Sequence, residues 1–309
     1  MSDLRTVLHD YLGVRRSLGY QLVVAERLLG QFIDFLEESG AAVITTELAF
    51  RWATLPSAAS PGWLGQRLSV VRCFAIFAQT IETETQVPPT DLLAGRPRRA
   101  VPYLYSDAEI MAIMAASRRL PSRHLTPHTY ETLVGLLATT GLRVSEAIGL
   151  GRDNMCLDDS LVRVIGTKFN KSREVPLSES AVEALRRYER LRDEFVPSPR
   201  HESFLLSTTG TRLTYNRVRV TFSGLAQTAG LSPRSERCRP RIHDLRHTFA
   251  VRTLIDWYSS GVDVAASLPL LSTVMGHVNP ASTYWYLSAA PELLGLAAVR
   301  LEDTFEGER

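Results

Sequence analysis

Two segments of this 309-residue sequence combine arginine and histidine at spacings that suit an anionic substrate. TGLRVSEAIGL places Arg143 near the start of a predicted helix. PRIHDLRHTFA carries His243, Arg246 and His247 at i, i+3 and i+4, so a helix would hold two imidazoles beside one guanidinium. Guanidinium groups bind phosphate oxygens through paired hydrogen bonds, so both segments indicate phosphate chemistry. A simple ion pair between Arg143 and Glu146 is the alternative.

Two further segments contribute a phenol and two lysines. LLSTVMGHVNPASTYWYLSA places His277 nine residues before Tyr286. TKFNKS contains Lys168 and Lys171, the two lysines of a chain that has 33 arginines. A guanidinium keeps its proton near neutral pH, whereas a partly buried ammonium can release one. This usage favours a proton-transfer role for a lysine, and chance placement of two residues is the alternative.

A metal site is the alternative interpretation of the histidines. His243, His247 and His277 include the H-x3-H spacing of metal ligands. Arg246 shares their predicted face and would repel a cation, and no Glu follows His243 to act as the general base of a zinc hydrolase. The sequence therefore favours an anion site, and we expect neither a metal nor another cofactor.

Length and composition are typical of a globular protein with two domains. Hydrophobic residues make up 45% of the 309 positions and charged residues 22%. Cys73, Cys156 and Cys238 are isolated and odd in number, which predicts a reducing, cytoplasmic compartment rather than a disulfide framework. No apolar run is long enough to span a bilayer and the N-terminus lacks a signal-peptide stretch, so no membrane association is expected.

Basic charge is concentrated in one part of the chain. The formal net charge is only +2, but residues 212–252 carry nine arginines against Glu236 and Asp244. Such a patch neutralises phosphates, which predicts a nucleic-acid partner, with a solvated arginine-rich face as the alternative. The candidate DNA-binding residues are Arg67, Arg72, Arg217 and Arg241.

The N-terminal third is predicted to form four short helices. Apolar residues recur at helical spacing from Leu22 to Leu36, and Gly40 follows as a stop signal. Thr45 or Thr46 can cap the next helix, and Pro61 opens another whose polar side is predicted to carry Arg67 and Arg72. Four helices with one basic face fit a DNA clamp and a generic bundle equally well.

A proline-rich segment separates this region from the rest of the chain. VPPTDLLAGRPRRAVPYL holds four prolines, which favour extended backbone. SDAE from Ser106 is a capping box that starts a new helix. We therefore predict a helical domain at 1–95, a linker at 96–104 and a second domain at 105–309.

The second domain is predicted to be mainly α with a small β-sheet or hairpin. LVRVIG (161–166) and REVPL (173–177) are β-rich and flank TKFNKS, which predicts a hairpin. The predicted helices lie at about 106–118, 127–140, 178–194, 214–229, 242–259, 268–275 and 291–301.

In this order, TGLRVSEAIGL, VIGTKFNKSREVPL, HDLRHTFA and MGHVNPASTYWYLSA resemble the catalytic boxes of the tyrosine recombinase (phage integrase) family. The resemblance covers roughly residues 104–290, and the N-terminal third more weakly resembles the family's helical, SAM-like core-binding domain. It implies a two-domain DNA clamp, in which a core-binding domain is joined to a catalytic domain.

The resemblance also implies roles for individual residues. Tyr286 matches the nucleophile, with Tyr284 as the rival hydroxyl, and His247 looks like a structural helper. Lys168 matches the hairpin lysine and would be the general acid, although the extra residue before it leaves Lys171 open. The implied catalytic set is Arg143, Lys168, His243, Arg246, His277 and Tyr286.

The expected function is site-specific recombination of double-stranded DNA through a 3′-phosphotyrosyl intermediate. The resemblance implies a homo-tetramer on short inverted-repeat sites, alone or with partner recombinases, and exchange through a Holliday junction. TYWYLSAAPEL is similar to recombinases of transposons or plasmids, which predicts a mobile element. Relaxation of DNA by a type IB topoisomerase mechanism and a non-catalytic DNA-binding role are the alternatives. The apolar tail around 291–301 would dock on a neighbouring subunit or pack on its own core.

Overall fold

The computed structural model describes residues 3–93, 101–121, 124–166, 172–277, 279 and 281–287. The described chain forms two compact units, one within residues 3–93 and one from residue 101 onward. Both are rich in helices, and a three-stranded sheet lies in the second unit, which confirms the predicted mainly α class. Most of the predicted linker falls outside the described residues, so the limits at 95 and 104 stay a prediction.

The first unit is a bundle of four helices. They are α1 Leu4–Ser17, α2 Val23–Glu38, α3 Thr46–Thr54 and α4 Pro61–Ala78. The side chains of Asp3, Thr45 and Ser60 accept hydrogen bonds from the first turns of α1, α3 and α4, so each of these helices begins at a residue that satisfies free N–H groups. Phe32 and Trp52 pack at a ring separation of 5.2 Å in the core.

The second unit contains the remaining elements. The helices are α5 Asp107–Arg118, α6 Thr126–Thr140, α7 Val144–Ala147, α8 Glu179–Phe195, α9 Tyr215–Thr228, α10 Asp244–Ser259, α11 Val264–Met275 and α12 Ala281–Leu287. The strands are β1 Met155–Cys156, β2 Leu161–Val164 and β3 Arg173–Pro176. They pair antiparallel in the order β1-β2-β3, which confirms the predicted hairpin and adds a two-residue strand too short to be recognised from the sequence.

Two helices near the end of the described chain differ from the prediction. α11 begins at Val264, where the Asp263 side chain caps its first turn, rather than at residue 268. α12 was not predicted, because seven residues are too few to show a helical period and packing against α10 and α11 supports it. The predicted helix at 291–301 lies outside the described residues.

The second unit has two apolar clusters. The larger one joins the sheet to α5, α6, α8 and α9. The smaller one is formed by α10, α11 and α12, and it buries Leu254, Leu271 and Met275 together with Tyr286. The predicted nucleophile therefore lies on a helix fixed by apolar packing. Within the described residues, no helix is long and apolar enough to cross a membrane.

Candidate active site

The C-terminal end of α11 holds three arginines. Three guanidinium groups donate to three successive carbonyl oxygens there: Arg173 to Val274 (2.7 Å), Arg246 to Met275 (2.6 Å) and Arg143 to Gly276 (2.8 Å). The last carbonyls of a helix lack partners within the helix and carry partial negative charge, so they attract cations. Three segments that are distant in sequence thereby converge on one helix end.

Arg246 also connects this helix end to α6 through hydrogen bonds. Its second Nη group donates to the carbonyl oxygen of Gly141 at 2.6 Å, and the residue is only 3% exposed. Gly141 ends α6 with a positive φ of 62°, and a Cβ at this position would collide with the ring of Phe249. A glycine is therefore required both for the backbone conformation and for the close approach of α10.

Arg143 forms an ion pair with Glu146, as the sequence suggested in place of a functional role. This pair belongs to a larger network of hydrogen bonds. Glu146 accepts from Arg143 Nη1 at 2.8 Å and from Arg173 Nη2 at 2.8 Å. The Arg173 and Glu146 side chains are 7% and 9% exposed, whereas that of Arg143 is 34% exposed. Burial alone would raise the pKa of Glu146, but the hydrogen bonds from the two arginines outweigh it and lower the pKa. Glu146 therefore stays charged and holds both arginines.

Sequence reasoning did not identify Arg173 as part of the site. A signal was present, because side chains alternate along a strand and Arg173 is two residues before Val175, which is buried. The same spacing directs the guanidinium towards the interior, where it contacts Glu146 and the end of α11.

The guanidinium groups around Arg246 alter its ionisation. The pKa of Arg246 is lowered to about 10, first by burial and then by repulsion from Arg143, while Tyr286 and Glu146 act in the opposite direction. Arg246 is therefore charged at neutral pH despite its burial. The site concentrates positive charge in a desolvated place, which is the condition under which an anion is bound strongly.

Two of the predicted histidines favour the neutral form here. His277 follows Gly276, its Nδ1 lies 2.7 Å from the Thr283 hydroxyl oxygen, and its pKa is lowered to about 4 by burial and by the nearby arginines. His243 is the N-cap of α10. Desolvation lowers its pKa, and the positive charges of Arg246, Arg241 and Arg143 add to this effect. Neutral imidazoles can donate and accept hydrogen bonds without adding charge.

Tyr286 lies between two of the imidazoles. Its hydroxyl oxygen is 3.0 Å from Nδ1 of His247, and its ring stacks on His277 at a centroid distance of 6.2 Å. The residue is 2% exposed, whereas Tyr284 is 54% exposed. The structure therefore gives His247, predicted as a helper, a direct contact with the hydroxyl.

Five of the six predicted catalytic residues can be placed. Arg143, Arg246, His277 and Tyr286 surround the end of α11, and the ring of His243 contacts that of His247 at a centroid distance of 5.0 Å. Lys168, with its alternative Lys171, lies outside the described residues. In the described part of the chain, no group of three or more His, Cys, Asp or Glu side chains is arranged to hold a metal ion.

The four candidate DNA-binding arginines differ in exposure. Arg217 is exposed on α9 and Arg72 is partly buried on α4. Arg241 is exposed but forms two hydrogen bonds, of 2.7 and 2.9 Å, with the buried carboxylate of Asp244.

The prediction that Arg67 lies on an exposed basic face is wrong. The residue is 7% exposed, donates to the carbonyl oxygen of Trp52 at 2.8 Å, and places its guanidinium 3.7 Å from the centre of the Trp52 ring. Arg67 is four residues before the buried Val71, so helical spacing puts it on the apolar side of α4. Its contacts stabilise the first unit.

Comparisons with known proteins show the family to which the chain belongs. Residues 104–292 match the phage integrase family. Over 311 residues and 99% of both chains, the protein is 40% identical to the putative integrase/recombinase y4rB of Sinorhizobium fredii (strain NBRC 101917 / NGR234). It is 27% identical over 233 residues to the tyrosine recombinase XerD of Chlorobaculum tepidum (strain ATCC 49652 / DSM 12025 / NBRC 103806 / TLS), covering 72% of this chain and 69% of the relative.

A solved structure extends the similarity to the fold. The Tn1549 transposon integrase in complex with transposon right end DNA superimposes with a TM-score of 0.67, at 17% identity, over 98% of this chain and 99% of that one. Identity at this level shows a shared fold, while the family match and the 40% identical relative show descent. The chain therefore belongs to the phage integrase family and is a tyrosine-type site-specific recombinase.

Proposed function

We propose that this recombinase cleaves DNA with Tyr286 as the nucleophile, leaving a 3′-phosphotyrosyl link and a free 5′-hydroxyl. The observation that carries the proposal is the convergence of Tyr286, Arg143 and Arg246 on the C-terminal end of α11. Arg143 lowers the pKa of Arg246 and Tyr286 raises it, so the phenol and the two guanidinium groups are close enough to interact electrostatically.

The two arginines suit the transition state of the cleavage step. Attack on a phosphodiester spreads negative charge over the non-bridging oxygens, and fixed positive donors stabilise that charge without reorganisation. A guanidinium has five N–H donors. The carbonyl oxygens of Gly141 and Met275 engage two donors of Arg246, and the others can face a phosphate.

The carbonyl contacts also orient these donors before DNA binds. Arg246 is fixed at two Nη groups, and Arg143 is fixed by Gly276 and Glu146. A preorganised donor loses little conformational freedom in the transition state, so more of its interaction energy lowers the barrier. His277 and His243 can add neutral hydrogen bonds to the same phosphate.

Lys168 completes the proposed chemistry as the general acid. The departing 5′ oxygen needs a proton when its bond to phosphorus breaks, and an ammonium can supply one. This assignment comes from the sequence resemblance. The phosphotyrosyl ester conserves the energy of the broken bond, so attack by a 5′-hydroxyl can rejoin the strand without a nucleotide or another cofactor.

The proposed partner is double-stranded DNA with short inverted-repeat sites, bound by a homo-tetramer that exchanges strands through a Holliday junction. The DNA partner is supported by the exposed Arg217 and by structural neighbours that are named as complexes with DNA. A mobile-element context is supported by the similarity of TYWYLSAAPEL to recombinases of transposons and plasmids. Inverted repeats near the gene that the protein protects from nuclease would supply the substrate.

A nicked suicide substrate tests the proposal. Loss of the short fragment downstream of the cleavage point prevents rejoining, so the protein should become covalently attached to the 3′ end. Tyr286→Phe should form no covalent product, while Tyr284→Phe, two residues away and exposed, should react at the wild-type rate. A wild-type protein that never becomes attached, or a Tyr286→Phe variant that does, contradicts the proposal. Relaxation of supercoiled DNA without any site preference would instead indicate topoisomerase activity.

A further inference from the structure

Activation of the Tyr286 hydroxyl requires a proton acceptor. A tyrosine in water has a pKa of about 10, so roughly 0.1% is ionised at pH 7. Arginine side chains can stabilise a phenolate but cannot accept its proton, because they are already protonated. The acceptor must therefore be a base that reaches the phenolic oxygen by a hydrogen bond, directly or through one water.

His247 meets this geometric condition. Its Nδ1 lies 3.0 Å from the Tyr286 hydroxyl oxygen, a distance at which direct proton transfer is possible. The ring is held by two edge contacts, with His243 at a centroid distance of 5.0 Å and with Trp285 at 5.5 Å. His247 also directly follows Arg246, whose guanidinium is anchored at two carbonyls, so the backbone that carries the imidazole is fixed.

The other two histidines make different contacts. Nδ1 of His277 lies 2.7 Å from Thr283, and its ring is nearly parallel to that of Tyr286, with an angle of 16°. His243 contacts the edge of His247. Within the described residues, the titratable groups in ring contact with His247 include His243, the N-cap of its own helix, and Tyr286 on α12, whose ring also contacts His277. The charged Arg246 precedes His247 on α10.

We infer that His247 is the general base of strand cleavage, an inference that rests on the proposed function. Its Nδ1 takes the phenolic proton as the Tyr286 oxygen bonds to phosphorus, and the bond from phosphorus to the 5′ oxygen breaks. A separate acid protonates that 5′ oxygen. In the rejoining step the conjugate base of that acid takes the proton of the 5′-hydroxyl as its oxygen attacks phosphorus, and the His247 imidazolium returns its proton to the departing Tyr286 oxygen.

The test measures proton transfer from the nucleophile separately from proton transfer to the leaving group. A DNA site with sulfur in place of the 5′ bridging oxygen releases a thiolate, which needs no general acid. Single-turnover formation of the covalent complex is then measured from pH 6.5 to 9.5 for wild type and His247→Asn. Asparagine keeps a polar atom near the position of Nδ1 but cannot hold the proton. Tyr284→Phe is the control and should match the wild type.

At pH 7 we expect His247→Asn to react about 100-fold more slowly, the lower end of what a general base contributes. The deficit should shrink as pH rises, because hydroxide then ionises the phenol directly. A role in positioning alone would give a deficit that does not change with pH. His247→Ala supplies a second measurement, in which added imidazole should increase the rate in proportion to its concentration.

The outcomes separate the inference from the proposed function. If the wild type forms no covalent complex, the proposed function fails and the inference fails with it. If the wild type reacts and His247→Asn matches it at pH 7, His247 is not the base. A slow variant with a pH-independent deficit, together with no response of His247→Ala to imidazole, also overturns the inference. Thermal unfolding of each variant shows whether the protein measured is folded.

Discussion

Arg67 in the first unit and Arg246 in the second are both buried, but their surroundings differ. Arg67 is 7% exposed and donates to the carbonyl oxygen of Trp52, whose ring it covers. Arg246 is 3% exposed and donates to the carbonyl oxygens of Gly141 and Met275. Arg246 thus has two backbone acceptors, whereas Arg67 has one and its Nε is buried without a partner. Burial itself does not distinguish the two residues.

The neighbouring charges do distinguish them. Burial lowers the pKa of Arg67. For Arg246, burial is joined by repulsion from Arg143 and Arg173. Like charges held together cost folding free energy, and such arrangements are concentrated at functional sites because an anionic ligand relieves the repulsion. Crowded positive charge, rather than a buried arginine as such, therefore distinguishes the proposed anion site of this recombinase.

Substitutions of Arg246 and Arg67 should differ most in their effect on the cleavage rate. Arg246→Lys keeps the charge but loses the planar fork that binds both carbonyls, so it should reduce the single-turnover rate by about 10²–10³-fold, as for removal of a fixed transition-state donor. The rate of covalent complex formation on the nicked substrate measures this. A reduction of less than about 10-fold would mean that the crowded site is not where charge develops in the transition state.

A smaller effect is expected for Arg173, which contacts Glu146 rather than the proposed phosphate. Arg173→Met should leave Arg143 less well held and lower the cleavage rate by about 10-fold, and loss of the buried ion pair should reduce the free energy of unfolding by up to about 3 kcal/mol. The control is Arg163→Met on the neighbouring strand, whose ion pair with Glu174 is exposed and should contribute at most about 1 kcal/mol. Equal effects of the two changes in denaturant unfolding would contradict this ranking.

The smallest effect on cleavage is expected for Arg67. Arg67→Met should reduce the free energy of unfolding by about 1–2 kcal/mol, because the cation–π contact and the hydrogen bond to Trp52 are lost. Cleavage per folded molecule and the salt dependence of DNA binding should not change. In contrast, Arg217→Met should leave stability unchanged and reduce the slope of log affinity against log salt by about 1. If the DNA affinity of Arg67→Met depended less on salt than that of the wild type, Arg67 would again be a candidate DNA-binding residue.

Much of the fold could be predicted because its signals are local. Helical spacing of apolar residues and capping residues such as Ser106 mark most helices, and alternating β-rich segments mark the hairpin. α12 was not predicted, because its stability comes from packing on α10 and α11 rather than from its own seven residues. β1 escaped for the same reason, since two residues carry no period.

The candidate site was predictable where a segment resembles one of the family's boxes. Arg143, Arg246, His277 and Tyr286 belong to segments that resemble the family's boxes, and the structure places all four near one helix end. The contact of His247 with Tyr286 joins positions 39 residues apart, and no local pattern reports such a contact.

By itself, the sequence determined which chemical groups are available and in which helices and strands most of them lie, because residue type and periodicity are local properties. Only the tertiary structure decided which guanidinium groups face one another, which imidazole reaches the phenol, and that Arg67 covers a tryptophan. These outcomes depend on how separate elements pack. Small changes in packing move a side chain by several ångströms, whereas hydrogen bonds and ion pairs require distances of about 3 Å.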